Sequence, residues 1–262
     1  MFDRYTVEIC AGGIEDVITA SRFPVDRIEL NSALELGGLT PSLAVLEAAK
    51  RHTSLPILCM VRPRGAGFVY TETELCVMKE DAEILLKNGA DGIVFGILNP
   101  DHSVREPETN AMCDLIHRYG KTAVFHRAFD LVPDPDSAVN TLIACGADRI
   151  LTSGRKETAR LGASCIRDLI RKYGSRIEIL PGCGIRAENI LEVLEETGAS
   201  QFHMTAKSDR NDSGFYPAVD ARNIQAVYQK LQSKSPARNT VLTREDAELL
   251  REEQYEKTNE PA

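Results

Sequence analysis

Short apolar segments alternate with longer helix-like segments along the 262 residues, and this alternation most limits the folds that the chain can adopt. The segments with strand character are Thr6–Cys10, Arg27–Asn31, Ile57–Val61, Gly92–Gly96, Thr122–His126, Arg149–Thr152, Glu178–Pro181 and Gln201–Thr205. The segments with helical character are Ile14–Ala20, Leu43–His52, Thr73–Asn88, Glu106–Tyr119, Pro135–Cys145, Cys165–Tyr173, Ala187–Thr197 and Ala221–Leu231. Because strand and helix alternate, parallel pairing through right-handed crossovers is expected. Eight such units predict an α/β protein with a single (β/α)8 TIM barrel.

Glycines at the ends of three predicted helices support this organisation. Gly89, Gly146 and Gly198 each follow a helix and lead directly into a strand. A glycine there can adopt the positive φ that ends many helices. The main rival is an open doubly wound sheet, and it is disfavoured because Cys10-Ala11-Gly12-Gly13 lacks the dinucleotide-binding glycine pattern.

The composition excludes several broad classes of function. The net charge of −8 argues against a general nucleic-acid-binding protein, which usually carries a basic face. The sequence has no apolar run long enough for a membrane span and no apolar signal segment at its start, so a cytoplasmic protein is expected. The seven cysteines are odd in number and show no CxxC spacing, which makes a disulfide framework or a structural zinc site improbable.

The chain changes character near its C-terminus. We predict a barrel domain over residues 1–232 and a polar extension over 233–262. Thr243 has the character of a helix N-cap and is followed by acidic residues, so a short helix over Thr243–Gln254 is expected. This partly helical extension is suited either to packing on the barrel or to self-association.

The third predicted strand runs directly into two arginines, Arg62 and Arg64, separated by Pro63. Guanidinium groups match the geometry of carboxylates and phosphates, so the pair suggests an anion site. Two arginines held in salt bridges with nearby acids are the other interpretation, and this segment alone does not decide between them.

Functional side chains of such a barrel lie at its mouth, the end formed by the C-terminal ends of the strands. Alternation along the strands directs Glu8 and Cys10 inward from the first strand, and Glu29 and Asn31 inward from the second. The other polar residues expected at the mouth are Arg62, Arg64, His126, Arg127, Asp130, Ser153, His203 and Thr205. We expect Glu8 and Glu29 to oppose the two arginines. A closed structural network would also satisfy these charges, but buried ion pairs stabilise weakly, so a functional pocket is favoured.

Three kinds of site are open at this mouth. His126, Glu29 and Asp130 are candidates for proton transfer, with Asp130 orienting a neighbour. Anion binding is predicted for Arg62, Arg64, Arg127, Ser153, Gly182 and Gly184, since barrels often hold phosphate after their last two strands. Cys10 and His203 lie on the first and last strands, which become neighbours when a barrel closes, and a thiolate with an imidazole suits Cu(I).

Several motifs together resemble the CutC copper-homeostasis family. They are Met60–Tyr70 (MVRPRGAGFVY), His126–Asp130 (HRAFD), Leu151–Gly154 (LTSG), Glu35–Pro41 (ELGGLTP) and Pro181–Ile185 (PGCGI). The resemblance runs from about Thr6 to Leu231. It implies a cytoplasmic (β/α)8 barrel that is often dimeric, with a role in copper tolerance and Cu(I) binding or trafficking and no firmly assigned reaction. It also implies that Glu8, Glu29, Arg62, Arg64, His126, Arg127, Asp130, Ser153 and His203 share the mouth, with Cys10 as a copper ligand.

The chain departs from the family pattern at two places. Asn31 stands where members often have a cysteine, so a Cys–Cys copper pair is not available. Gly65-Ala66-Gly67 replaces the usual Gly-Gly-Asp. Two functions are therefore carried forward: a homodimeric copper-homeostasis protein that binds Cu(I), and an enzyme acting on a small phosphorylated or carboxylated metabolite. The sequence does not decide whether the chain is an enzyme.

Overall fold

A computed structural model describes residues 5–234, and its core is a barrel of eight parallel strands. The strands are β1 (Thr6–Ala11), β2 (Arg27–Leu30), β3 (Ile57–Met60), β4 (Gly92–Phe95), β5 (Thr122–Phe125), β6 (Arg149–Thr152), β7 (Glu178–Pro181) and β8 (Gln201–Met204). They are ordered β7-β6-β5-β4-β3-β2-β1-β8, so the first and last strands pair directly. At the seam between β7 and β8, the side-chain amide of Gln201 donates to the carbonyl of Ile179.

Within residues 5–234, eight α-helices surround the barrel and confirm the predicted (β/α)8 fold. They are α1 (Ile14–Ala20), α2 (Leu43–His52), α3 (Glu72–Lys87), α4 (Glu106–Arg118), α5 (Pro135–Ala144), α6 (Ala163–Tyr173), α7 (Ile190–Thr197) and α8 (Ala221–Lys234). The three glycines expected at helix ends have positive φ: 97° at Gly89, 82° at Gly146 and 70° at Gly198. Among residues 5–234 we find no helix that could span a lipid bilayer.

The pleat of the strands separates two environments. Val7 and Ile9 of β1 are buried in the large apolar core shared with the helices. Inside the barrel, a small apolar cluster from β3, β4 and β5 fills part of the interior: Leu58, Met60, Val94 and Val124. The remaining inward positions of β1, β2 and β8 carry polar side chains, and these form the site described below.

Some elements were not predicted. Short 3-10 helices occupy Leu34–Leu36 and Arg127–Leu131, and an antiparallel hairpin of β9 (Lys207–Asn211) and β10 (Phe215–Val219) separates β8 from α8. The hairpin was missed because β9 is polar throughout and shows no alternation. The predicted helix over Thr243–Gln254 and most of the predicted extension over 233–262 lie outside the described residues.

Candidate functional site

Strand register brings four polar side chains together at one side of the barrel. Cys10 of β1 lies opposite Glu29 of β2, and Glu8 of β1 lies opposite His203 of β8. Side chains of directly opposed residues on paired strands project to the same face, so all four enter the barrel interior side by side. Each of them is at most 7% exposed.

Three of these residues form a group that can hold a metal ion. One ligand atom from each of Cys10, Glu29 and His203 lies within 4.8 Å of the other two. His203 Nε2 is 3.8 Å from Glu29 Oε2. The second carboxylate oxygen, Glu29 Oε1, is buried and has no hydrogen-bond partner among the described residues. A thiolate, an imidazole and a carboxylate are each a competent metal ligand, so we call this group the metal triad.

Asn31 and Glu8 are not members of the triad, but their hydrogen bonds orient its side chains. The Asn31 amide Nδ2 donates to Glu29 Oε2 at 2.8 Å and lies 3.4 Å from Cys10 Sγ. His203 Nδ1 lies 2.7 Å from Glu8 Oε1, while Glu8 Oε2 accepts from the Arg27 guanidinium. A carboxylate that binds the far ring nitrogen of a histidine fixes the ring and leaves the other nitrogen to face a metal.

The protonation of the site follows from burial and from its charges. Burial would raise the pKa of Glu8, but the hydrogen bond from His203 and the charges of Arg27 and Arg149 outweigh it, so that pKa falls well below its usual range. Burial, and then the neighbouring Glu29, raise the pKa of the Cys10 thiol well above its usual value. Burial would lower the pKa of His203, yet the carboxylates of Glu29 and Glu8 raise it overall.

The pKa of Glu29 is also raised. Burial is the main cause, the charge of Glu8 adds to it, and His203 opposes it. The triad therefore holds protons that are bound more tightly than in water. A metal ion entering it has to displace them.

A cavity of about 730 Å³ opens from the triad toward the barrel mouth. Its polar walls include Cys10, Glu29, Asn31, Arg62, His126, Arg127, Cys183, Gly184, His203 and Thr205. Apolar side chains such as Leu36, Met60, Phe68 and Leu151 line other parts. The structure thus gathers most of the predicted mouth residues around one space, although Glu8, Arg64, Asp130, Ser153 and Gly182 are not among its walls.

His126 forms one buried wall of the cavity. Its Nδ1 accepts a hydrogen bond from the Ala128 backbone N–H at 3.1 Å, and its ring packs against Phe68 with centroids 4.7 Å apart. Burial, followed by the charges of Arg62 and Arg127, lowers the pKa of His126 to about 3. The imidazole is therefore neutral near pH 7 and carries its proton on Nε2, which has no partner among the described residues.

The expected pairing of Glu8 and Glu29 with Arg62 and Arg64 is wrong. Nη1 of Arg62 donates to the Leu36 and Gly38 carbonyls, and its Nη2 donates to the Ala66 carbonyl. Arg64 instead bonds Glu74 at the start of α3 at 2.5 Å and donates to the Val69 carbonyl. Because the loops after β2 and β3 supply these acceptors, both arginines brace loops, and of the two only Arg62 reaches the cavity.

Asp130 and Ser153 also serve the loops rather than the cavity. The Asp130 carboxylate accepts from Thr152 Oγ1, from the backbone and hydroxyl of Ser153, from the Arg155 N–H and from Arg127 Nε. All of these donors belong to the end of β6 or to the segments that follow β5 and β6, and Asp130 does not line the cavity, so its contacts brace these loops. Arg127 bonds this pair and still lines the cavity.

The predicted glycine cradle is only partly available. The Gly182 N–H donates to the Thr152 carbonyl, and a Cβ at Gly182 would lie 2.5 Å from Leu151 Cδ1. Gly182 thus permits close packing of β7 against its neighbours and offers no N–H to a phosphate. Gly184, with φ of 72°, and Thr205 do line the cavity.

Two arginines of the site were missed by sequence reasoning. Arg27 lies opposite Glu8 in the β1–β2 register, and Arg149 of β6 approaches the same carboxylate at 3.9 Å. The signal that would have found Arg27 is its parity, since it shares an inward face with Glu29 two residues later. The sequence predicts Glu29 as a proton carrier and as a partner of the two arginines, and its place in the metal triad emerges from the register with Cys10.

Comparisons with known proteins agree on one family. The model of the CutC family matches residues 5–208. A CutC family protein of Treponema denticola is 45% identical over 206 residues, which cover 79% of this chain and 83% of the relative. The copper homeostasis protein cutC homolog of Homo sapiens is 40% identical over 210 residues, which cover 80% of this chain and 76% of the relative. A crystal structure of CutC from Streptococcus agalactiae has a TM-score of 0.72 at 32% identity and covers 77% of this chain and 98% of its own.

Proposed function

The chain belongs to the CutC family, and we propose that it contributes to copper homeostasis by binding a Cu(I) ion at the metal triad. Cys10 and His203 are the principal ligands in this proposal, and Glu29 completes the site. The observation that carries it is the approach of three buried ligand atoms to within 4.8 Å of one another. Copper chemistry is suggested by the name of the human relative, copper homeostasis protein cutC homolog.

The donor set fits a soft monovalent ion. Thiolate and imidazole are ligands that Cu(I) favours. Replacing the Cys10 thiol proton with Cu(I) leaves the charge of this buried site unchanged, whereas a divalent ion would add a positive charge that burial penalises. The Asn31 amide near Cys10 Sγ supports the thiolate as a hydrogen-bond donor, in place of a second thiol.

The competing proposal from the sequence, an enzyme acting on an anionic metabolite, is favoured less. It relied on a two-arginine clamp and on acid–base groups at the mouth. Arg64 bonds Glu74 away from the cavity, and the Asp130 carboxylate is saturated by local donors. Neither residue lines the cavity.

An anaerobic Cu(I) titration against a competing chelator tests the copper proposal. We expect the wild type to bind one Cu(I) per chain and Cys10→Ser to bind it more weakly by at least about 100-fold, since loss of a ligand should exceed the cost of losing an outer partner. Cys59→Ser is the matched control, because Cys59 is fully buried in the core shared with the helices and does not line the cavity. Equal affinity in the wild type and in Cys10→Ser would reject Cys10 as a ligand.

A homodimer and a cytoplasmic location, both expected from the sequence, remain proposals. Light scattering after size-exclusion chromatography tests the first, because a homodimer should have twice the 28.9 kDa mass of the chain. Fractionation of cells that express the full chain tests the second, with the protein expected in the soluble cytoplasmic fraction.

A further inference from the structure

The cavity is far larger than a metal site requires. Its volume of about 730 Å³ lies within the range of roughly 300–1,000 Å³ that is usual for small-molecule pockets. A single ion bound at the metal triad would occupy only the innermost part of this cavity. The rest of the wall combines apolar surface, including Leu36, Phe68 and Ile185, with a few polar groups. That combination is typical of sites for small organic ligands.

His126 lines the cavity and carries a hydrogen-bond donor in a fixed position. The Ala128 N–H holds Nδ1 as an acceptor, so the ring proton is on Nε2. His126 is 4% exposed, and Nε2 has no hydrogen-bond partner in the described part of the chain. A buried N–H without an acceptor costs free energy, and an acceptor oxygen on a ligand would remove that cost.

Cationic side chains outnumber acidic ones on the cavity wall, which favours an anionic ligand. Arg62, Arg127, Arg186 and Lys207 line it, while the acidic residues on its wall are Glu29 and Glu188. This excess of cations contrasts with the net charge of −8 for the whole chain. The Arg62 guanidinium lies 5.0 Å from the Phe68 ring centroid, against the same ring that packs on His126. The His126 ring and a buried cation therefore contact the same aromatic ring.

We propose that the cavity above the metal triad binds a small organic carboxylate, one oxygen of which accepts a hydrogen bond from His126 Nε2–H. Arg62 supplies the countercharge, and the apolar walls hold the organic part of the ligand. A carboxylate fits better than a phosphate, because the Gly182 N–H that would begin a phosphate cradle is bonded to the Thr152 carbonyl. This inference rests on the cavity walls and does not depend on copper binding.

Calorimetric titration of the full-length protein, stripped of copper with a chelator, tests the inference. The probes are acetate, succinate, benzoate and citrate, set against inorganic phosphate and glycerol 3-phosphate. His126→Asn keeps an acceptor for the Ala128 N–H and removes the Nε2 donor, whereas His126→Gln restores a donor near Nε2. We expect at least one carboxylate to bind, His126→Asn to weaken it by about 10-fold or more, and His126→Gln to recover part of the loss.

A second variant tests the same ligand without altering the buried His126. Arg186 is exposed at the cavity rim, so Arg186→Gln should fold normally and weaken carboxylate binding by about 2- to 5-fold at low salt, with a smaller effect at high salt. Failure of every carboxylate, tighter binding of either phosphate probe, or unchanged binding in folded His126→Asn would each overturn the inference. Cu(I) affinity, measured in parallel on the same variants, reports separately on the copper proposal.

Discussion

The Nδ1 atom of His203 lies 2.7 Å from Oε1 of Glu8, and this contact directs the other ring nitrogen toward Glu29. Glu8 is held in turn by the Arg27 guanidinium. The histidine therefore has a fixed orientation before any ion arrives. Outer partners of this kind usually contribute about 10- to 100-fold to metal affinity.

Glu8→Gln tests the importance of that contact. The variant keeps the shape of the side chain but removes the charge that fixes the His203 ring, so we expect Cu(I) affinity to fall by about 10- to 100-fold. Competitive titration measures the affinity, and circular dichroism checks that the barrel remains folded. Affinity equal to that of the wild type in a folded variant would show that Glu8 does not orient a ligand.

Copper affinity should rise with pH. Burial and Glu29 raise the pKa of the Cys10 thiol, and the neighbouring carboxylates raise the pKa of His203 above its usual 6.5. At acidic pH, where His203 and Glu29 also hold protons, Cu(I) displaces those protons as well as the thiol proton, and at higher pH only the thiol proton remains. We expect affinity to increase by about 100-fold or more per pH unit at the acidic end and by about 10-fold per unit at higher pH. A pH-independent affinity would be incompatible with Cys10 and His203 as ligands.

His126 should make the fold less stable in acid. Its pKa is about 3 in the folded protein, against a usual value of 6.5, so between these values the unfolded chain binds a proton that the folded chain does not. Stability contributed in this way is complete above pH 6.5 and is lost as the pH falls toward 3, by up to about 1.4 kcal/mol per pH unit. Urea unfolding at several pH values should give a shallower acid dependence for His126→Asn. If the free energy of unfolding fell equally steeply with decreasing pH for the wild type and for His126→Asn, the imidazole of His126 would not be neutral in the folded protein.

The packing beneath His126 has its own test at Gly96. A Cβ at this position would lie 2.4 Å from His126 Cε1 and 2.8 Å from the Ala128 Cβ. Gly96→Ala should therefore destabilise the fold by about 1–3 kcal/mol through overpacking. Gly67→Ala is the matched control, because a Cβ there meets nothing within 4 Å. Equal unfolding midpoints for the two variants would mean that the His126 ring is not held against Gly96.

Much of the fold was predictable because hydrophobic periodicity and helix-ending glycines are local signals. All eight strands and eight helices of the barrel were anticipated within a few residues of their ends. Inward positions such as Glu8 and Cys10 followed from strand parity alone. The hairpin of β9 and β10 was not anticipated, since β9 is polar throughout and shows no alternation.

The arrangement of the site was less predictable because it depends on register and on side-chain direction. Cys10 and Glu29 become neighbours only through the alignment of β1 with β2. Arg62 and Arg64 turn toward carbonyls of loops whose path is not encoded in periodicity. The two arginines suggested an anion clamp in the sequence. In the structure both arginines brace loops, and of the two only Arg62 lines the cavity.

X-ray absorption at the copper edge of the Cu(I)-loaded protein tests the central claim most directly. Coordination by Cys10, His203 and Glu29 predicts one sulfur neighbour together with nitrogen or oxygen neighbours in the wild type. The sulfur neighbour should disappear in Cys10→Ser and persist in Cys59→Ser. A copper ion without a sulfur neighbour, or a sulfur signal unchanged in Cys10→Ser, would contradict the assignment of the metal triad.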